Sequence, residues 1–313
     1  MRRIRIGTRA SALARWQTDH VIALWRGVEP ALGVEVVDVS TLGDEMHDAP
    51  LDRMEGTGFF TSSLERLLLG GQIDLAIHSY KDLPVAITPG LTVAAVPARG
   101  PVEDALCARD GATLRGLPAG ARVGTSSLRR IAQLRALRPD LDYRPLRGNV
   151  PTRLDRVARA ELDAVVLARA GIERLGLGAR ATEIFPPEQV LTAPAQGALA
   201  IQVRADDREL VGRLAALDHP AVHAAVAAER EVLHQLRGGC SVPVGAFAIG
   251  AETGLRMAAG VFAPAGDRLL RVEVEGRDPV PLGAEAARRL LEQGAGEILV
   301  DLEREPRLAW ERA

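Results

Sequence analysis

Arg122-Val123-Gly124-Thr125-Ser126-Ser127-Leu128-Arg129-Arg130 is the stretch that decides the fold. A short strand ends at Gly124, a small-residue turn with three hydroxyls follows, and a helix starts at Ser127. A helix start of this kind presents free N–H groups and the positive end of the helix dipole to an anion. Arg129 and Arg130 stand beside it on the first turn. The same residues also read as plain N-capping followed by two solvated arginines, and the stretch alone leaves both readings open.

The strand-turn-helix unit recurs on either side. Residues 3–7 alternate as a strand, and Leu13, Trp16, His20 and Leu24 then recur at helical spacing. Residues 34–39 read as the next strand, 60–69 as a helix ended by Gly70-Gly71, and 74–77 and 91–96 as two further strands. Residues 97–101, with Pro and Gly, mark a crossover. After Gly124 come a helix over 127–137, a strand over 142–145, a helix over 152–160 and a strand over 164–168. Pro186-Pro187 and Pro194 break the pattern before a strand over 198–203. The alternation predicts an α/β protein: two lobes with parallel sheets, helices on both faces, crossed twice by the chain and hinged around a cleft like a periplasmic binding protein.

From residue 218 the texture changes. A long Ala-rich helix over 220–236 runs into Gly238-Gly239-Cys240, and strand-like runs at 244–249, 255–261 and 269–274 precede an amphipathic helix over 284–293. Strands together with helices at the ends predict a small α+β domain. The expected partition is therefore 1–98 with 198–217, then 99–197, then 218–313.

Composition narrows the function. The chain has 313 residues, 47% hydrophobic and 26% charged, enough to bury several cores. A net charge of -2 argues against nucleic acid or an anionic membrane as the main partner. The basic Met1-Arg2-Arg3-Ile4-Arg5 leads into no apolar stretch of signal-peptide length, and the longest apolar runs are too short to span a bilayer. Two cysteines make no disulfide framework, so the protein reads as cytoplasmic. Lys81 is the only lysine among 39 basic residues, which singles it out in a chain that otherwise spells positive charge as Arg.

The chemistry-bearing residues sit at strand ends. Gly7-Thr8-Arg9-Ala10-Ser11 closes the first strand and opens the first helix. Leu146-Arg147-Gly148-Asn149 ends another strand, with Arg153 on the following helix and Arg174 beyond the strand at Val165-Val166. Open α/β sheets bind ligands at strand ends, so Arg9, Arg129, Arg130, Arg147, Arg153 and Arg174 together point to one polyanionic ligand bearing carboxylates or phosphates, although any one of them alone also reads as a solvated surface arginine. His78-Ser79-Tyr80-Lys81-Asp82-Leu83-Pro84 places Lys81 and Asp82 at another strand end. A carboxylate there can protonate a leaving group or steady a developing cation, although the residues by themselves favour a surface Lys-Asp pair in a turn. His78 reads as a packed histidine, and the six His show no metal-ligand spacing. Cys240, between glycines and Ser241-Val242-Pro243, is either an unreactive loop thiol or one used covalently, while Cys107 reads as a core hydrophobe.

Taken together, Ile6 to Ser11, His78 to Pro84, Gly124 to Arg130, Leu146 to Val150, Gln196-Gly197-Ala198 and Gly238-Gly239-Cys240 closely resemble the porphobilinogen deaminase (hydroxymethylbilane synthase) family of tetrapyrrole biosynthesis. The resemblance runs over essentially the whole chain. It implies two binding-protein-like domains and a third, smaller one. It also implies a transferase that condenses four porphobilinogen molecules head to tail, loses ammonia each time and hydrolyses the product to hydroxymethylbilane. The cofactor it implies is a dipyrromethane tied by a thioether to Cys240. Asp82 matches the catalytic aspartate, which assists departure of the aminomethyl nitrogen and steadies positive charge passing through the azafulvene.

The remaining carry-over is to binding positions. Lys81, Ser11, Thr125, Ser126, Ser127, Arg129 and Arg130 match cofactor-binding positions. Arg9, Arg147, Arg153, Arg174, Phe60 and Arg53 match substrate-binding ones, and no metal is implied. Thr57 stands where the family commonly has a lysine, Arg53 where a lysine is frequent, Tyr80 where a methionine is common, and Pro151 where a glycine precedes Thr152-Arg153. Nothing in the residues advertises a large apolar interface, so a monomer is expected.

Two other classes compete. Two hinged α/β lobes also serve solute-binding or ligand-sensing proteins. An ordinary cysteine-nucleophile transferase would need a base near Cys240, and His234 is the nearby candidate. A covalently bound pyrrole separates the first reading from both.

Overall fold

The computed structural model describes residues 3–39, 61–236, 242–252 and 254–304. Their strands form three sheets, and the chain divides into two compact units, residues 1–100 with 197–223 and residues 101–196 with 224–313.

In the first unit, β1 (Ile4–Arg9), β2 (Val34–Val39), β3 (Leu75–Ser79), β4 (Leu91–Ala95) and β10 (Leu199–Arg204) lie in the order β2-β1-β3-β10-β4. Strands β1, β2 and β3 are parallel, as the alternation predicts. Strand β10 instead runs antiparallel to both β3 and β4. It is laid down directly after the chain re-enters this unit at Gly197, with no crossover helix to set its direction.

Helices α1 (Ala12–Val28) and α6 (Arg208–Leu214) cover one face of the sheet, while α2 (Ser62–Leu69) covers the other. The buried face of α1 is Gln17, Thr18, Val21, Ile22 and Trp25, not the expected stripe of Leu13, Trp16, His20 and Leu24. Both stripes have helical spacing, and the one carrying Val21, Ile22 and Trp25 wins the core. Trp16 and His20 stack on each other instead, 4.8 Å between ring centroids. Helix α2 packs against β1 so closely that a Cβ on Gly7 would lie 2.4 Å from Ile73 Cδ1 and 2.8 Å from Leu64 Cδ2.

The second unit repeats this topology. Strands β5 (Asp104–Ala108), β6 (Arg122–Gly124), β7 (Asp142–Arg144), β8 (Ala164–Ala168) and β9 (Glu183–Phe185) are ordered β7-β6-β8-β5-β9. Strands β6, β7 and β8 are parallel, and β5 runs antiparallel to β8 and β9. Helices α3 (Leu128–Leu137), α4 (Val150–Ala158) and α5 (Arg169–Arg174) connect them. The same latch closes the entry of the equivalent strands β1 and β6. Arg5 holds Asp74 through its backbone N–H (2.8 Å) and guanidinium while bonding Gly71 O. Arg122 holds Asp163 through its backbone N–H (2.8 Å) and guanidinium while bonding Ala160 O.

The C-terminal sheet is an antiparallel meander of β11 (Val244–Ala251), β12 (Gly254–Phe262) and β13 (Leu269–Gly276). Its core is closed by α7 (Pro220–Gln235), α8 (Pro279–Glu292) and α9 (Ala295–Arg304). Phe262 packs with Ala132 and Leu191, and Ala246 N–H donates to Thr192 O at 3.0 Å, so this sheet shares the second compact unit. The fold is thus α/β with a small α+β C-terminal region, as expected.

Candidate functional site

Within the first unit, β1 and β3 are neighbours in parallel register, Gly7 opposite Ala76, so their C-terminal ends emerge side by side. Arg9 ends β1, and Ser11 caps α1 by accepting from Ala14 N–H at 3.3 Å. Strand β3 delivers His78 and Ser79 to a single 3-10 turn, Tyr80–Asp82. Tyr80 is buried and its N–H donates to Ala198 O at 3.0 Å, while the buried Leu83 donates to Tyr80 O at 3.2 Å. Pinned at both ends, the turn leaves Lys81 half-buried and Asp82 exposed. Gln17 Nε2 donates to Ser79 Oγ at 2.7 Å, so α1 braces the same loop.

His78 is a packed core residue, as read from the sequence. Burial lowers its pKa to about 4, with Gln202 opposing the shift and the Arg9 charge reinforcing it. The imidazole is therefore neutral at physiological pH.

In the second unit the hydroxyls after β6 serve the backbone. Thr125 is buried, its N–H donates to Arg144 O (2.9 Å), and its Oγ1 accepts from Ser127 N–H (3.3 Å). Ser126 Oγ donates to Leu146 O at 2.9 Å and accepts from Leu146 N–H at 2.8 Å, welding the turns after β6 and β7. Ser127 is the N-cap residue of α3, and its side chain makes no capping bond. After β7, Gly148 adopts φ +92, and a Cβ there would lie 3.0 Å from the Thr152 side chain. Asn149 caps α4 by accepting from Thr152 N–H, and Arg153 Nε donates to Gly148 O at 2.8 Å. Arg147 is exposed beside them. Arg174 ends α5, where burial pushes its pKa down to about 10.

Arg129 and Arg130 are not solvated, which removes the plain-capping reading. Their side chains are 3% and 8% exposed, and both face the wholly buried Asp104 at the start of β5. Arg130 donates to Asp104 Oδ1 from Nε (3.0 Å) and Nη2 (2.7 Å), and from Nη1 to Val166 O (2.9 Å). Arg129 Nη1 donates to Leu191 O at 2.6 Å. Its Nη2 lies 2.8 Å from Asp104 Oδ2, an ion pair whose angle falls short of a hydrogen bond.

Burial alone would raise the Asp104 carboxyl. The two guanidiniums and the Gln196 amide outweigh burial and hold it far below the usual carboxylate range. Arg129 is pushed below its ordinary value by burial and by Arg130, with Asp104 offsetting only part. Two cations against one anion leave this buried cluster with one positive charge in excess. Asp104 is a functional candidate absent from the sequence reading, and Gln196 entered it only as part of the motif Gln196-Gly197-Ala198, with no role assigned. The available signal was an acidic residue heading the apolar run Ala105-Leu106-Cys107-Ala108.

Cys240, Phe60, Arg53 and Thr57 lie outside the described residues. Cys107 is buried and its thiol is pushed up to about 11 by burial, which keeps it unreactive. Among the described residues no group of His, Cys, Asp and Glu is arranged to hold a metal ion, and no helix is long and apolar enough to cross a membrane.

Comparison with known proteins covers nearly the whole chain. Residues 4–212 match the family model for the porphobilinogen deaminase dipyrromethane cofactor binding domain, and residues 223–292 match its C-terminal domain. Porphobilinogen deaminase of Nocardia farcinica is 50% identical over 96% of this chain and 88% of that protein. The Moorella thermoacetica protein of the same name is 46% identical over 96% of each, and the Brevibacillus brevis one is 41% identical over 96% and 98%. Among solved structures, a Salmonella typhimurium periplasmic binding protein described for high arginine specificity overlaps 72% of this chain and 94% of that one. Its TM-score is 0.40 and its identity 17%.

Proposed function

Because the chain belongs to the porphobilinogen deaminase family, we propose that Arg129 and Arg130 hold carboxylates of its pyrrole chain and that Asp82 is its acid/base group. The reaction is the polymerisation of porphobilinogen, with loss of ammonia, to hydroxymethylbilane in tetrapyrrole biosynthesis, carried out by a transferase with a dipyrromethane cofactor. The observation that carries the assignment is the buried cluster of two guanidiniums against the single Asp104 carboxylate. An excess cation in low dielectric favours a ligand carboxylate over water, and planar guanidiniums suit carboxylates in particular. The residues present therefore fit an acidic pyrrole cofactor.

When bound, the dipyrromethane supplies the first pyrrole acceptor, so that each condensation is intramolecular. Arg9, Arg147, Arg153 and Arg174 balance the carboxylates that each new pyrrole adds, with Ser11 at the start of α1 and Ser127 at the start of α3 as neutral donors. Arg53 and Phe60 belong to the same set, by resemblance alone. Thr125 and Ser126 act by fixing the backbone under α3. Asp82, exposed on a turn pinned by Tyr80 and Leu83, passes a proton to the departing aminomethyl nitrogen and then faces the developing positive charge as a carboxylate. Lys81 beside it attracts the acid groups of the dipyrromethane cofactor. Cys240 is the attachment point. We read three domains, 1–98 with 198–217, 99–197 and 218–313, in a cytoplasmic monomer without a nucleic-acid partner.

The test is the denatured intact mass of the purified protein beside a Cys240→Ser variant. A covalent excess of two pyrrole units in the first and none in the second is expected. A protein that carries no adduct even after incubation with porphobilinogen overturns the assignment.

A further inference from the structure

Glu229 lies in the middle of α7 and is wholly buried, yet both of its carboxylate oxygens are aimed at backbone. Its Oε2 accepts from Ala195 N–H at 2.7 Å and its Oε1 from Ala248 N–H at 2.9 Å. Ala195 is one of three non-glycine residues in the described chain with positive φ, at +62°. A side-chain-bearing residue stays in that region only when its surroundings hold it there, and such residues gather at functional sites. Here the hold is a buried acid reaching across from the helix that leads to Cys240.

The next residue shows what the strained turn is for. Gln196 is wholly buried, and its Nε2 donates to Val102 O at 2.7 Å and to Asp104 Oδ1 at 2.9 Å. Asp104 Oδ1 is the atom that also receives both bonds from Arg130. The path from the helix to the arginine pair thus runs Glu229, Ala195, Gln196, Asp104, Arg130, with a side-chain hydrogen bond or one peptide unit at each step. A second stitch, Ala246 N–H to Thr192 O at 3.0 Å, holds the same loop to β11.

We propose that Glu229 is a positioning residue, which fixes the Ala195–Gln196 turn and through it the direction in which Asp104 presents Arg129 and Arg130 to ligand carboxylates. The proposal rests on the carboxylate-binding reading of that arginine pair. Mechanically, it ties the geometry of the anion site to the helix that precedes Cys240 in sequence. A shift of α7 reaches the arginines through bonded contacts and not through bulk packing. Gln at 229 keeps the size but has one acceptor oxygen, so one of the two backbone N–H groups loses its partner.

The experiment compares Glu229→Gln and Gln196→Ala with Leu290→Val, a core truncation in the same C-terminal region, and with Arg130→Lys. The readouts are KM and kcat for porphobilinogen, and amide exchange of the peptide covering residues 192–199. Glu229→Gln and Gln196→Ala are expected to raise KM about tenfold with kcat little changed, the size of one lost buried hydrogen bond. Glu229→Gln is also expected to speed exchange in that peptide, whereas Leu290→Val, chosen to match its loss in Tm, moves neither readout. If Glu229→Gln does not fold, Gln196→Ala decides the question by the same KM criterion. An unchanged KM in both relay variants while Arg130→Lys raises it overturns the relay alone. An unchanged KM in Arg130→Lys overturns the carboxylate reading and the relay with it.

Discussion

Asp104 receives Arg130 through two hydrogen bonds to the same oxygen, 3.0 Å from Nε and 2.7 Å from Nη2, with the carboxylate wholly buried. A carboxylate taken from water is tolerable only where cations and donors surround it, and here Arg129, Arg130 and Gln196 do so. The relationship also works in reverse, because two buried guanidiniums need this anion when no ligand is present.

Asp104→Asn is therefore expected to cost on the order of 3 kcal/mol, the penalty of leaving a buried charge without its partner. Urea denaturation of cofactor-free protein measures it. The Asp104 carboxyl is depressed, so its contribution is present above the usual carboxylate pKa and is lost only as pH falls through the lower folded value. A variant as stable as the parent at pH 7 rules out the ion-pair account of the cluster.

His78 gives the same sign in a higher pH window. Its folded pKa of about 4 lies below the unfolded value of 6.5, so the unfolded chain takes up a proton first as pH falls. Above 6.5 the group contributes nothing to pH dependence. Between 6.5 and 4 it progressively favours unfolding, by on the order of 3 kcal/mol at the acid end, at 1.36 kcal/mol per pH unit. His78→Gln is expected to flatten that limb in a plot of unfolding free energy against pH. An unaltered slope means the histidine titrates normally in the folded state.

Asp82 separates chemistry from stability. It is exposed on a turn held by the buried Tyr80 and Leu83, so Asp82→Ala is expected to change stability by no more than about 0.5 kcal/mol. Loss of a group that transfers a proton in the transition state is expected to lower turnover by about 10²- to 10⁴-fold. Thermal melts and hydroxymethylbilane formation at saturating porphobilinogen check the two halves. Normal turnover removes Asp82 from its assigned role.

Most strands and their ends were legible because short apolar runs stop at Gly, hydroxyl or Arg residues, a local pattern, whereas β5 and β9 were not read as strands. Strand β6, for example, occupies Arg122–Gly124 as read. The face of α1 was not legible, since Trp16 and His20 share helical spacing with the true core stripe and only packing against β1 and β3 chooses between them. The direction of β10 and β5 depends on where the chain re-enters each sheet, which periodicity does not encode. Arg129 and Arg130 were legible as a pair but not as a buried pair. Their anchor Asp104 lies 26 residues from Arg130 and 92 from Gln196 in sequence, so no local motif announces it. The hydroxyls of Thr125 and Ser126 look like ligand donors in sequence, whereas in the fold they bond the backbone of the neighbouring turn.

Ser126 makes that last point measurable. Its hydroxyl donates to Leu146 O and accepts from Leu146 N–H, so a single oxygen fixes the turn that starts α3 relative to the loop bearing Arg147. Ser126→Ala strips Leu146 of both bonds in a partly buried setting, an expected loss of about 1–3 kcal/mol in unfolding free energy. If the hydroxyl acts only through the backbone, the variant still loads its cofactor. Its KM for porphobilinogen then rises because Arg147 and the arginine pair no longer sit in fixed relation, while kcat changes little because Asp82 is in the other unit. If the hydroxyl instead contacts the cofactor, cofactor occupancy by intact mass falls sharply. Denatured mass and steady-state kinetics on one preparation distinguish the two, and a loss of occupancy with unchanged stability overturns the backbone role.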